Sequence, residues 1–278
     1  MAAWTLLCLL AGPSLAAAGI LDCLTGPCVT VPGVGKLQGS WKETQVTGRQ
    51  YFEFLGIPFG EDTGGAHRFG PPRAKGPLND GKDAFDASYL NYITDWWDHV
   101  CPQQGVGAHD ETSNPLLALA AGDPQLNRTT RGLPGAVLGS EDCLHLAVHT
   151  PVLPDAANNP KLPVMVYIHG GSFMLGGYIG AGAGKLLERD MILVSIQYRV
   201  GPLGFFCLPD DEIAGNMGLL DQLLALRWVH DHIAAFGGDP DRVTIQARRT
   251  SCNHLTTSPT GRVGRQRLGH LPHDIPPL

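Results

Sequence analysis

Leu162-Pro163-Val164-Met165-Val166-Tyr167-Ile168-His169-Gly170-Gly171-Ser172-Phe173 is the stretch on which the reading of the chain turns. An apolar, β-branched run too short for a typical helix stops abruptly at paired glycines, which predicts a buried strand over 164–168 followed by a tight turn. Just past such a strand, the N–H groups of Gly170, Gly171 and Ser172 can point into one cleft and hold a developing negative oxygen. A strand that ends in a glycine turn and binds nothing is the competing reading. H-G-G-S alone does not choose between the two.

Outward from that stretch the pattern stays regular. A short helix is expected around 183–189 and a second buried strand over 192–198. A long helical pattern follows over 218–236, with Leu219, Leu220, Leu223, Leu224, Leu226, Val229 and Ile233 on its apolar faces, and it stops at Gly237-Gly238. Val243-Thr244-Ile245 then reads as a third buried strand. Strand, helix, strand, helix, strand predicts a parallel sheet with helices on its faces.

Toward the N-terminus, residues 23–70 alternate short apolar runs with Gly/Pro turns, as in Val29-Thr30-Val31-Pro32-Gly33, and predict a small antiparallel sheet. Residues 71–140 are irregular, with a short helix expected near 115–121; a stretch of that kind inside a compact domain is usually functional surface. After Gln246 two arginines follow an apolar strand directly, and 261–278 is a basic, His/Pro-rich tail without periodicity.

The chain has 278 residues, 43% hydrophobic and 17% charged, enough to bury a sizeable core. A formal net charge of -6 gives no basic footprint for nucleic acid or anionic lipid, so small or neutral partners fit better. Residues 1–18 are apolar through Leu15 and end in Ala16-Ala17-Ala18, which reads as a secretory signal. They lack an N-terminal Lys or Arg, which leaves a short membrane anchor or a buried segment as the alternative. No other stretch is long and apolar enough to span a bilayer. Cys8 falls in the signal; Cys23, Cys28, Cys101, Cys143, Cys207 and Cys252 remain for an oxidising compartment, an even count that permits full pairing. The only glycosylation sequon is Asn127-Arg128-Thr129, in a polar stretch expected to be surface loop.

Cys23 and Cys28 bracket a turn that can close a small disulfide; a metal site there would need ligands the sequence does not offer nearby. His230 and His232 flank Asp231 on the long helical pattern, where i,i+2 residues do not share a face, so a solvated or packed role outweighs a ligand role.

Taken together, Phe54-Leu55-Gly56-Ile57-Pro58-Phe59, Arg68-Phe69, Ser140-Glu141-Asp142-Cys143-Leu144, the 167–173 block, Gln197-Tyr198-Arg199-Val200-Gly201-Pro202-Leu203-Gly204-Phe205-Phe206, Gly215-Asn216-Met217-Gly218-Leu219-Leu220-Asp221-Gln222 and Ala234-Ala235-Phe236-Gly237-Gly238-Asp239-Pro240 resemble the N-terminal half of the type-B carboxylesterases, the cholinesterase and carboxylesterase branch of the α/β-hydrolases. The resemblance implies an α/β class and an incomplete α/β-hydrolase fold: N-terminal antiparallel strands, then a parallel βαβαβ core, without the C-terminal half. It divides the chain into a signal peptide (1–18), a partial carboxylesterase domain (19–259) and a divergent tail (260–278). It makes Gly171 and Ser172 the oxyanion donors, Cys101 and Cys143 the first disulfide of the family, and Arg68 with Glu141 and Arg199 with Asp221 structural ion pairs; on charge alone these four would be separate solvated residues. No metal or organic cofactor is implied.

In that family the strand matching 243–245 runs into G-x-S-x-G, a sharp turn that lifts a nucleophilic serine out of the sheet. Here it runs into Gln246-Ala247-Arg248-Arg249-Thr250-Ser251, with neither glycine nor serine at the required spacing. Ser251 as a displaced nucleophile lacks the glycines that permit the strained turn. Ser251-Cys252-Asn253-His254-Leu255 again resembles the segment after the elbow, the pattern of a local loss at the elbow and a later change of reading frame. The acid and histidine of the triad fall beyond position 278 by resemblance, so nucleophile, acid and base are all missing. A sheet that stopped at 243–245 would also leave an apolar edge unpaired, and poor solubility is expected.

Three readings result. One is a secreted carboxylic ester hydrolase, truncated and inactive as written, whose complete form would act on a small-molecule ester through serine attack, proton transfer by histidine and hydrolysis of an acyl-enzyme. The second is a non-catalytic cholinesterase-like module that recognises a protein partner, and the third is a fragment without function. Cholinesterase specificity is disfavoured, because no aromatic residue lies between Cys101 and Cys143 to hold a quaternary ammonium group; Trp96 and Trp97 precede that loop and are expected to pack as anchors.

Overall fold

A computed structural model gives the fold, and it describes residues 26–78, 84–88, 100–104, 137–155, 159–178, 182–208 and 213–247. The strands are β1 (Cys28–Val31), β2 (Gly35–Gln38), β3 (Ser40–Glu43), β4 (Gln50–Pro58), β5 (Phe85–Asp86), β6 (Gln103–Gln104), β7 (Val137–Leu138), β8 (His145–Thr150), β9 (Leu162–Ile168), β10 (Ile192–Ile196) and β11 (Gly238–Ala247). The α-helices among the described residues are α1 (Ala183–Leu186), α2 (Gly201–Phe205) and α3 (Met217–His232).

Six strands form the main sheet in the order β11-β9-β10-β8-β4-β3. β9 pairs in parallel with β10 on one side and β11 on the other, while β10, β8, β4 and β3 pair antiparallel in turn. This is the parallel strand-helix-strand core the sequence predicts, extended by antiparallel strands from the N-terminal region. Among the described residues, β11 has β9 as its only partner strand.

The N-terminal region departs from one small antiparallel sheet. β1 and β2 form an antiparallel hairpin with β5 added in parallel, but β3 and β4 belong to the main sheet. Gly39 makes the change of sheet possible: a Cβ there would come 2.5 Å from the Glu53 carbonyl oxygen and 2.7 Å from the Phe54 ring. β4 is also irregular. Its register on β8 shifts between Phe54 and Ile57, Gly56 sits at φ +66°, and the displaced Leu55 N–H donates to Ala87 O at 2.8 Å.

Strand composition follows burial. Every residue of β8 and β10 is buried, whereas β9 alternates: Val164, Val166 and Ile168 are buried and Pro163, Met165 and Tyr167 only half so. The buried face of β9 shares one core with Ala225, Leu226, Trp228 and Val229 of α3 and with Ile233 and Phe236 of the 3-10 turn Ile233–Phe236 that follows it. Helical coverage of both faces was the expectation; among the described residues the Met165 and Tyr167 face is incompletely covered. The long helical pattern likewise resolves into α3 plus this 3-10 turn, stopped by Gly237 at φ +85°. Leu219, Leu220, Leu223 and Leu224 are half-buried, while the polar Asp221 and Gln222 face inward. Asp221 is turned inward by its buried cationic partner, described below.

Candidate active site

The loop leaving β9 carries the site. Gly171, Ser172 and Phe173 all have positive φ, at +126°, +56° and +60°. For Ser172 and Phe173 this left-handed backbone is unfavourable by roughly 1 kcal/mol each or more, so the surroundings must impose it. They do so through main-chain bonds: Met174 N–H and Leu175 N–H donate to Gly171 O at 3.0 and 3.2 Å, and Gly201 N–H donates to Phe173 O at 2.5 Å. The Phe173 ring packs edge-on against Tyr198 and at 4.8 Å against Phe205. No side chain fits at Gly171, where a Cβ would collide with Leu175 O. Ser172 is exposed, and its N–H forms no hydrogen bond among the described residues.

His169 anchors the base of this loop. Its ring is buried and stacks on Tyr198 at 4.3 Å, Nδ1–H donates to Gly170 O at 3.0 Å, and Tyr198 O–H donates to His169 O at 3.0 Å. Burial pushes its pKa down to about 4, with the Gly170 bond opposing. The imidazole is therefore neutral near pH 7, and the turn carries no fixed positive charge from this residue.

β11 ends beside the loop. Ala247 lies opposite Ile168 in the parallel register, so β11 ends level with the last residue of β9. In a parallel sheet both strands open at their carboxyl ends, where ligands of such sheets bind.

The structure brings Cys101 and Cys143 together in a disulfide with Cα atoms 5.0 Å apart. Arg68 donates from Nε and Nη2 to both carboxylate oxygens of Glu141, at 2.6 and 2.5 Å, in an exposed pair. Arg199 and Asp221 form a fully buried pair. Nε and Nη2 of Arg199 each reach an Asp221 oxygen at 2.8 Å, its backbone N–H adds a bond at 2.9 Å, and Nη1 donates to Gly70 O at 2.9 Å. This fixes the exit of β10 to α3. A cleft of about 500 Å³ is lined by Arg68, Glu141, Pro102 and Leu203 and by no residue of the 169–176 loop.

Other expected residues take plainer positions. Cys28 is disulfide-bonded, and Cys207 is free and exposed rather than paired. His230 faces Asp231 at 2.9 Å on the exposed side of α3, and no group of metal-ligating side chains occurs among the described residues. Cys23, Asn127, Arg248, Arg249, Ser251, Cys252, Trp96, Trp97 and the helix expected near 115–121 lie outside the described residues. No helix among the described residues is long and apolar enough to cross a membrane. One residue of the site escaped sequence reasoning: Gln103, whose side chain bonds the loop at Gly176, gives no signal beyond its place two residues after Cys101.

A sequence profile of the Carboxylesterase family matches residues 25–263. The chain belongs to the carboxylesterase family. Among its relatives, the chain is 37% identical to an acylcarnitine hydrolase of Mus musculus over 236 residues, covering 81% of the chain and 36% of the relative. It is 36% identical to the cocaine esterase of Homo sapiens, again covering 81% and 36%. Its fold matches the crystal structure of juvenile hormone esterase from Manduca sexta, which carries covalently attached OTFP, with a TM-score of 0.60 and 28% identity over 79% of this chain and 35% of that one. The carboxylesterase chain thus spans little more than a third of the length of these relatives. The match to juvenile hormone esterase is one of fold as well as sequence, and it makes the sheet described above the incomplete α/β-hydrolase sheet that the resemblance implies.

Proposed function

We propose that this chain supplies the oxyanion-binding side of a carboxylic ester hydrolase acting on a small-molecule ester, and that the residues written here do not themselves hydrolyse esters. The observation that carries both halves is the register of β11 on β9. It pairs Ala247, the last residue of β11, with Ile168, the last residue of β9 before the turn that carries Gly171 and Ser172, which supports reading the end of β11 as the nucleophile's side of the site. The sequence at that exit is Gln246-Ala247-Arg248-Arg249-Thr250, without the Gly-x-Ser-x-Gly turn. The loop itself is compatible with its role: three successive residues have positive φ, and Ser172 is exposed. An oxyanion donor contributes about 3 kcal/mol to an acyl-transfer transition state, but only once a nucleophile has attacked.

The chain is also proposed to be secreted. The Cys101–Cys143 disulfide and the apolar segment 1–18 support an oxidising compartment. Quaternary ammonium esters are disfavoured as substrates, since the segment between Cys101 and Cys143 has no aromatic residue.

Hydrolysis of p-nitrophenyl butyrate by the purified chain tests the catalytic half of this reading. Turnover at the buffer rate is expected; a rate above it that a serine reagent abolishes overturns the proposal. Hydrogen exchange in the presence of butylphosphonate, a tetrahedral oxyanion mimic, tests the other half. Slower exchange at Gly171 and Ser172 is expected, and unchanged exchange there refutes the oxyanion assignment.

A further inference from the structure

The side-chain amide of Gln103 makes three hydrogen bonds, all to main chain. Nε2 donates to Cys101 O at 3.2 Å and to Gly176 O at 3.0 Å, and Oε1 accepts from Gly176 N–H at 2.7 Å. One side chain thus satisfies both polar groups of a single residue 73 positions away, as a paired strand would.

Gly176 is the residue through which this can act on the site. It sits at φ +132°, and a Cβ there would collide with Gly170 O and with Nδ1 of His169. Its backbone therefore lies directly against the first residues of the loop. Gln103 in turn is held from behind. Cys101 is tied by its disulfide to Cys143, whose carbonyl accepts from the N–H of His145, the first residue of β8.

We infer that Gln103 is a positioning residue for the oxyanion loop, clamping Gly176 so that Gly170 and His169 are fixed against the disulfide and β8. The inference rests on the reading of Gly171 and Ser172 as oxyanion donors for its functional meaning, though not for its geometry. Gln103 touches no reacting atom. It acts through hydrogen bonds, so its bulk alone is not enough.

Residue-resolved hydrogen exchange of the full 278-residue chain tests this with Gln103→Met and Gln103→Glu. Methionine keeps length and bulk but neither donates nor accepts as an amide does, whereas glutamate keeps the acceptor for the Gly176 N–H. In the Met variant, protection of the Gly176 amide is expected to fall about tenfold, the loss of one net hydrogen bond, with β9 and β10 amides unchanged. The Glu variant keeps that acceptor but turns an oxygen in place of Nε2 toward Gly176 O and Cys101 O, so it is expected to restore protection at Gly176 only at a pH low enough to protonate its carboxyl and return a donor. Full protection of Gly176 in the Met variant would overturn the inference by showing that packing suffices. If the Met variant loses protection across the whole sheet, the Glu variant decides: protection at Gly176 that returns as its carboxyl is protonated supports the clamp, and protection that stays absent at every pH overturns it. Since no ester enters this measurement, a clamp that holds while butylphosphonate leaves Gly171 and Ser172 unchanged refutes only the oxyanion assignment.

Discussion

Ala247, the last residue of β11, lies opposite Ile168, the last residue of β9, in parallel register. The proposed function rests on that pairing, which sets the end of β11 against the strand that leads into the glycine turn, while the sequence after Ala247 lacks Gly-x-Ser-x-Gly.

Gly171→Ala is the sharpest probe of the loop. Its φ of +126° and the collision of a Cβ with Leu175 O leave no unstrained solution. A loss of roughly 1–3 kcal/mol is expected in urea denaturation. A variant as stable as the parent would show that the loop is not held as described.

Removing Asp221 strands Arg199 as a buried, unpaired charge. Asp221→Ala is therefore expected to cost about 3–5 kcal/mol, read by the same denaturation measurement. The exposed Arg68 and Glu141 provide the contrast: Arg68→Ala is expected to change stability far less, because solvent screens that pair. Equal losses in the two variants would contradict the difference in burial on which this rests.

Stability should depend on pH in a defined window. Burial holds His149 and His169 near about 4, below the ordinary 6.5, so the unfolded chain binds more protons than the folded one between those values. Stability is thus present above pH 6.5 and lost as pH falls toward 4, by up to roughly 3 kcal/mol for each histidine. Glu53, which lies 3.9 Å from His149, opposes this, since burial raises its pKa and its contribution falls as pH rises. His232, also lowered by burial, adds to the slope, and Asp221, also raised by burial, joins Glu53 in opposing it; three histidines against two carboxylates leave the net slope positive. Melting temperatures from pH 7 to 4 check the sign, and His169→Phe should flatten the curve.

The Cys101–Cys143 disulfide closes a separation of 42 residues. Loop-closure entropy alone gives it about 4 kcal/mol. Replacing both cysteines with alanine should lower stability by that order, and should also loosen Gly176, because Gln103 leans on Cys101 O. An unchanged exchange rate at Gly176 would separate the disulfide from the loop.

Much of this architecture was legible in the sequence, for identifiable reasons. β9 and β10 are short apolar runs bounded by glycine or turn residues, and α3 with its 3-10 turn keeps helical periodicity up to Gly237, so local pattern and tertiary structure agree there, whereas β11 runs from Gly238 to Ala247 and buries Val243 but only half-buries Thr244 and Ile245 of the expected strand. The partners of Cys101, Glu141 and Asp221 came only from family resemblance, since nothing in spacing brings residues so far apart into contact. What remained hidden depends on tertiary register. β4 joins the main sheet because Gly39 lets the chain cross Phe54, Leu55 leaves the ladder to reach Ala87, and Asp221 faces inward because Arg199 waits there. Gln103 was invisible for the same reason, as its partner Gly176 looks like any loop glycine.

The central proposal is that this chain of the carboxylesterase family supplies the oxyanion side of the site and holds no competent nucleophile. Incubating the purified chain with a fluorophosphonate and searching every serine for an adduct by peptide mass spectrometry tests it most directly. The account predicts no adduct above that of the denatured chain. A stoichiometric adduct at Ser251, or at any serine placed to face Gly171 and Ser172, would contradict it.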